Sequence, residues 1–160
     1  MRARAMLSAA GMFLAAGCAG PDRPVRWAAS IEGSRTVFPG SAVTVRIEAS
    51  MADGWYFYSI TQPGGGPVAA RIWLADGEVF LPGGEVIDPR PTSSFDSTFG
   101  IAVEKYLETA SFTLPVRVAP EAGAGRHAVQ INALFQACNN TICLSPRTVT
   151  MSVPVTIRSR

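Results

Sequence analysis

Apolar and polar residues alternate along most of this chain. Val43, Val45, Ile47 and Ala49 are apolar, and Thr44, Arg46 and Glu48 between them are polar. The same two-residue period returns in Val68, Ala70, Ile72 and Leu74, in Phe112, Leu114, Val116 and Val118, and in Val129, Ile131, Ala133 and Phe135. It closes the chain in Val149, Met151, Val153, Val155 and Ile157. Successive side chains of a strand point to opposite faces, so each run predicts a strand with one buried face. The stretches "FPGS", "QPGGGP", "LPGG", "DPRP" and "APEAGAG" separate the runs and predict turns. Beyond Val25 no stretch carries sustained helical periodicity with caps. About seven to nine strands at this spacing predict an all-β fold, an antiparallel β-sandwich. Pro115 and Pro154 fall inside two of the runs, which predicts edge strands or bulges there. Residues 88–110 carry the weakest pattern. They read as a long functional loop over one end of the sandwich, or more plainly as a surface connection with one irregular strand.

The first residues follow another rule. "MRARAMLSAAGMFLAAGCAG" opens with Arg2 and Arg4 and continues as an apolar run over residues 5–17, too short to span a bilayer comfortably. This is the layout of a secretory signal. Its end, Leu14-Ala15-Ala16-Gly17-Cys18, resembles the lipobox of bacterial lipoproteins, in which a peptidase cuts before the cysteine and the thiol carries lipid. The position that is usually Leu holds Ala15 here, with Leu14 one place earlier; an ordinary signal peptide cut nearby is the plainer alternative. The expected organisation is a lipoprotein signal peptide over 1–17, a lipidated tether over 18–24 and one β-sandwich domain over 25–160. Acylation of Cys18 makes the membrane a partner and places the domain in the bacterial periplasm. Loss of Arg2 and Arg4 lowers Lys plus Arg from 14 to 12, against 12 Asp plus Glu. A formally neutral domain has no electrostatic footprint for nucleic acid.

With Cys18 assigned to lipid, Cys138 and Cys143 remain as a pair in "FQACNNTICLSP", within a compartment where disulfides persist. They lie between two alternating runs, which suggests a hairpin. A two-residue turn at Asn140 and Thr141 sets the cysteines opposite each other, at Cα separations of about 4.5–5.5 Å, within the roughly 4.4–6.8 Å of disulfides. A zinc site takes about four ligands, and the two thiols and His127 fall short of that. No metal or other cofactor is expected. His127 reads as a surface residue near a turn. A structural staple and a redox switch both fit the residues. Closing so short a loop constrains the unfolded chain by only roughly 2 kcal/mol, a small return for a staple. No Lys, Arg or His lies within three residues of either cysteine, so any tuning of the thiols must come from elsewhere in the fold.

Three stretches taken together, "ADGWYFYSITQPGGGP", "FDSTFG" and "FQACNNTICLSP", resemble the N-terminal periplasmic domain of the thiol:disulfide interchange protein DsbD and the related disulfide bond corrector domains. The resemblance spans roughly residues 25–157, with the stretches in the same order and separation. It implies an immunoglobulin-like antiparallel β-sandwich with the cysteine pair on a hairpin at one end. It also implies a dithiol, and a Cys138–Cys143 disulfide, that takes electrons from a membrane thiol transporter or thioredoxin-like donor and passes them to oxidised periplasmic proteins. By resemblance Cys143 forms the mixed disulfide with partners and Cys138 resolves it. Tyr56 and Tyr58 match aromatic residues beside the pair, Asp96 matches an acidic residue near the thiols, and the loop around Phe99 matches a cap that shields the cysteines. The chain departs from the pattern in three places: four residues rather than five separate the cysteines, Thr98 replaces an aromatic of the cap, and Ser97 replaces an acidic neighbour. Neither a transmembrane conduit nor a C-terminal thioredoxin domain follows in the sequence, so the expected reductant is a separate protein. The competing expectation is a non-enzymatic immunoglobulin-like envelope lipoprotein that binds a partner and keeps the disulfide as a passive staple.

Overall fold

The computed structural model describes residues 23–159, and every regular element among them is a strand. The strands are β1 (Val25–Glu32), β2 (Thr36–Val37), β3 (Ala42–Met51), β4 (Tyr56–Tyr58), β5 (Arg71–Leu74), β6 (Phe80–Pro82), β7 (Thr92–Asp96), β8 (Ile101–Leu107), β9 (Thr109–Val118), β10 (Gly125–Phe135), β11 (Ala137–Cys138) and β12 (Arg147–Ile157). They form three four-stranded sheets in the orders β1-β3-β9-β6, β2-β12-β10-β5 and β11-β4-β8-β7. The fold is the all-β, immunoglobulin-like sandwich that the alternation and the resemblance predict. The expected signal segment and Cys18 lie outside the described residues.

The first two sheets enclose one core. Val45, Ile47 and Phe112 come from one sheet, and Val129, Ile131 and Ala133 from the other; all are inaccessible to solvent. Their polar neighbours, such as Arg46 and Gln130, face water, so the two-residue period of the sequence is the inside-outside period of the sandwich. Trp27 sits among Phe57, Phe112 and Phe135 at centroid distances of 5.3–6.0 Å, an aromatic cluster at the end of the core that the third sheet closes.

The prolines behave differently from each other. Pro154 lies on β12 short of the Thr156 and Ile157 pairs that β2 makes, where that side of the strand pairs with no other strand among the described residues. Pro115 is on β9, which is flanked by β3 and β6 and is not an edge strand. Its missing N–H is tolerated because β6 ends at Pro82, after which Gly83 N–H donates to the Pro115 carbonyl at 3.0 Å.

Residues 88–110 are not a long loop. They contain the β7–β8 hairpin, paired from Thr92↔Lys105 to Asp96↔Ile101, with Gly100 at φ 68° closing its turn by donating N–H to the Asp96 carbonyl at 2.8 Å. The pattern is weak there because β8 is buried on both sides. Val103 is covered on one face and Tyr106 on the other, which erases a clean alternation.

Candidate redox site

The third sheet splits its residues by parity. Phe57 on β4, Tyr106 on β8 and Ala137 on β11 share one row of register and join the main core. The adjacent positions face the other way. Cys138 is opposite Tyr56, Tyr58 is opposite Lys105, and Asp96 is opposite Ile101. Side chains directly opposed in a sheet are in contact range, so β11, β4, β8 and β7 together build one face around the cysteine. Tyr58, Val103 and Cys138 form its buried centre, and Tyr56 and Ile101 pack against them.

Cys138 and Cys143 are joined by a disulfide, with Cα atoms 4.0 Å apart. The turn between them is made by the asparagine side chain that the sequence places first in it. Asn139 N–H donates to the Ile142 carbonyl at 2.9 Å, and Asn139 Oδ1 accepts N–H bonds from Thr141 and Ile142, each at 2.8 Å. Asn140 and Thr141 thus occupy the turn, and the cysteines are opposed as the spacing predicts, though their Cα atoms, at 4.0 Å, are closer than the separation expected from strand pairing. Leu144 N–H donates to the Ala137 carbonyl at 2.8 Å and continues the ladder. From Ala137 and Leu144 to Phe135 and Arg147 there is one residue on one strand and two on the other, a bulge in which Gln136 Nε2 donates to the Leu144 carbonyl at 3.0 Å.

The two sulfurs live in different surroundings. Cys138 is fully buried with Tyr58 and Val103, whereas Cys143 is solvent-exposed on the outer strand of the hairpin, beside Ile142, which is 51 % exposed. The disulfide thus has an inner and an outer cysteine.

Tyr56 and Tyr58 pack edge to face, with centroids 5.6 Å apart. The Tyr56 hydroxyl donates to the Asn139 carbonyl at 3.4 Å, reaching into the turn that joins the cysteines. Burial, with the adjoining Tyr56 and Asp96 adding to it, pushes the Tyr58 phenol far above its ordinary value, so Tyr58 stays protonated. Asp96 is three-quarters enclosed or more: its Oδ2 is 4.0 Å from Lys105 Nζ, with the two side chains only 18 % and 19 % exposed, and its Oδ1 accepts the Thr98 N–H at 2.9 Å. Phe99 lies at the tip of the β7–β8 hairpin, 43 % exposed and outside the apolar cluster around Cys138. The structure therefore gathers Cys138, Cys143, Tyr56, Tyr58 and Asp96 at one end of the sandwich, and leaves Phe99 at the rim.

Lys105 was not visible as a member of this site in the sequence reading. Its ammonium lies over the Tyr56 ring at 4.4 Å and near the Tyr58 ring at 5.7 Å. One signal for it exists: Lys105 shares the parity of Ile101 and Val103, a charged residue in an apolar phase. Asn139 also belongs to the site, because its carbonyl and side chain tie the turn to Tyr56.

Over residues 28–154 the chain matches the sequence model of the family described as thiol:disulfide interchange protein DsbD, N-terminal. No curated protein matches it. Among solved structures it is similar to the reduced form of the DsbD N-terminal domain of Neisseria meningitidis, with TM-score 0.53 and 14 % identity over 86 % of this chain and 90 % of that one. It is also similar to the N-terminal periplasmic domain of ScsB from Proteus mirabilis, with TM-score 0.47 and 20 % identity over 87 % of this chain and 49 % of that one, so it spans about half of the latter's length.

Proposed function

Because the chain belongs to the family of DsbD N-terminal domains, we propose that it is a periplasmic thiol-disulfide exchange module that relays electrons through Cys138 and Cys143. The observation that carries this reading is the asymmetry of the pair, with Cys143 open to solvent and Cys138 buried against Tyr58 and Val103. A passive bond has no need of one exposed sulfur. A relay needs an outer sulfur that a partner can reach and an inner sulfur that only the outer one can reach.

The reaction balances as a two-electron exchange. In the reduced module the Cys143 thiol loses its proton, and the thiolate attacks one sulfur of an oxidised protein's disulfide. A Cys143–partner disulfide forms, and the partner's other sulfur leaves as a thiolate and takes up a proton. Cys138 then loses its proton and attacks the Cys143 sulfur, releasing the partner as a dithiol and restoring the Cys138–Cys143 bond. The module is oxidised and the partner reduced by the same two electrons. The reverse sequence with a donor dithiol, from a membrane thiol transporter or a thioredoxin-like protein, recharges it. Asp96 is the carboxylate on this face that can take and return the protons, Tyr56 and Tyr58 wall the inner sulfur, and Phe99 at the rim caps the approach. Acylation of Cys18 tethers the module to a cell-envelope membrane.

The test uses single-cysteine variants. Cys138→Ser is expected to accumulate mixed disulfides through Cys143 with periplasmic proteins, and Cys143→Ser is expected to trap far fewer. The reduction potential of the pair is expected above about −300 mV, the level below which structural disulfides resist the glutathione pool. A lower potential together with no trapped partner would overturn the reading in favour of a staple.

A further inference from the structure

On the redox face, Lys105 is a cation that contacts residues around the cysteines. From β8 it reaches back across β4 toward the row that carries Cys138, so that its Nζ stands 4.4 Å above the Tyr56 ring. Tyr56 is the register partner of Cys138 and hydrogen-bonds the carbonyl of Asn139. Asp96 meets the same ammonium at 4.0 Å from the β7 side. The other charged residue of β8 near this end, Glu104, has the opposite parity and is held by the Ser59 and Thr61 hydroxyls at 2.8 and 2.6 Å. Tyr56 and Tyr58 from β4, Lys105 from β8 and, through Lys105, Asp96 from β7 are thus linked on the side that holds the cysteine pair; Arg147 of β12, at the base of the hairpin, lies over the Phe135 ring at 6.0 Å, and residues 139–142 of the hairpin carry no charge.

In the disulfide state the linked set is neutral: one carboxylate and one ammonium, both largely enclosed. Reduction and deprotonation add a third charge, a thiolate, to the same face. Next to Asp96 alone that charge is disfavoured. Next to Asp96 and Lys105 it is compensated. We propose that Lys105 is a positioning residue of the exchange reaction, which locks the Tyr56 ring against the cysteine turn and offsets the Asp96 charge where the Cys143 thiolate develops. The inference rests on the redox reading of the pair and adds a group that keeps its outer sulfur reactive although no cation lies within three residues of it in sequence.

The experiment measures the pH dependence of Cys143 alkylation in the full chain. Cys138→Ser serves as the parent, so that Cys143 titrates alone within the pair, and mass spectrometry follows the Cys143 peptide separately from Cys18. Adding Lys105→Gln is expected to raise the midpoint by about one pH unit, which is about tenfold less thiolate at a fixed pH below it. The thiolate that remains is more basic and more nucleophilic, so alkylation at pH 7 slows by only about three- to fourfold. Lys105→Arg keeps the parent midpoint, Asp96→Asn lowers it, and Asp96→Asn combined with Lys105→Gln returns it to within about 0.3 units of the parent. A structural role alone predicts none of this reciprocity. An unmoved midpoint in a folded Lys105→Gln chain, or a double variant that stays shifted, overturns the proposal. Should Lys105→Gln not fold, Lys105→Arg and Asp96→Asn decide it: a parent-like midpoint in the first with a lowered one in the second supports the role, and equal midpoints refute it. Loss of the redox reading shows separately, as a Cys138→Ser parent that traps no partner at any pH.

Discussion

Breaking the Cys138–Cys143 bond should leave the domain folded, and the structure sets the size of the effect. The cysteines are five positions apart, so the bond closes a loop of about six residues and restricts the unfolded chain by roughly 2 kcal/mol. Little is lost on the native side. The hairpin keeps the Asn139 N–H to Ile142 carbonyl bond at 2.9 Å, the Leu144 N–H to Ala137 carbonyl bond at 2.8 Å, and the β11 pairing with β4. At its base, β10 and β12 pair without interruption from Gly125↔Ile157 to Phe135↔Arg147. For a domain of this size, an unfolding entropy near 2.1 cal/mol/K per residue converts about 2 kcal/mol into a fall in Tm of about 8 °C. That figure is an upper bound, because the unfolded loop keeps part of its turn preference. Circular dichroism melts of the oxidised protein, of the protein in reductant and of the Cys138→Ala, Cys143→Ala variant test it. All three are expected to unfold cooperatively, with Tm values within about 8 °C of one another and native near-ultraviolet spectra at 25 °C. A reduced protein that loses its near-ultraviolet signal at 25 °C, or a fall in Tm beyond about 15 °C, refutes the reasoning: the bond is then holding the fold, and the relay has no reduced state to work with.

Two further tests address the frame that supports the site. The Tyr106 hydroxyl donates to Asp88 Oδ2 at 2.6 Å beneath the third sheet, so Tyr106→Phe is expected to lower urea stability by about 1.5 kcal/mol, the low end for a bond to a charged group because Asp88 is only half-buried. The Thr61 and Ser59 hydroxyls hold the Glu104 carboxyl below its ordinary value of 4.5. A folded pKa below the unfolded one stabilises the protein above the unfolded value and is lost as pH falls through the folded one. Stability measured from pH 6 down to pH 3 is therefore expected to fall less steeply in Glu104→Gln than in the parent, and equal slopes would refute the assignment.

The sandwich was legible because its strands obey one constraint at a time. Along β3, β9, β10 and β12 each residue is either inside or outside, and the hydropathy of the sequence writes that choice directly. The β7–β8 hairpin was misread as a loop because that rule fails on a sheet covered from both sides. There Val103 and Tyr106 are both buried at odd spacing, and β7 reads "TSSFD", four of whose five residues are exposed. Pro115 misled for a related reason: a proline marks a missing donor, and whether the strand is an edge depends on where its neighbour stops. The cysteine pair and its turn were readable from local spacing. Which sulfur faces water was not, because it is decided by the pairing of β11 with β4, between residues about 80 positions apart in the chain.

Parity also explains how one short sheet can serve the core and the chemistry together. Tyr56, Phe57 and Tyr58 look like a single aromatic run in the sequence, yet the middle ring belongs to the sandwich core and the outer two to the cysteine face. Shifting β4 by one residue would exchange these roles at once, placing Phe57 against Cys138 and pushing two hydroxyls into an apolar core. Phe57 is pinned there by Trp27, Phe135 and Tyr106, with ring centroids 5.3–5.9 Å away. Core packing therefore fixes the register that holds Tyr56 and Tyr58 at the sulfur. The even number of residues between the cysteines does the same for the hairpin: with Asn140 and Thr141 in the turn and Asn139 opposite Ile142, both cysteines fall in one row and can bond. Four intervening residues are thus sufficient for the disulfide, because the geometry it needs is supplied by strand register rather than by the length of the loop.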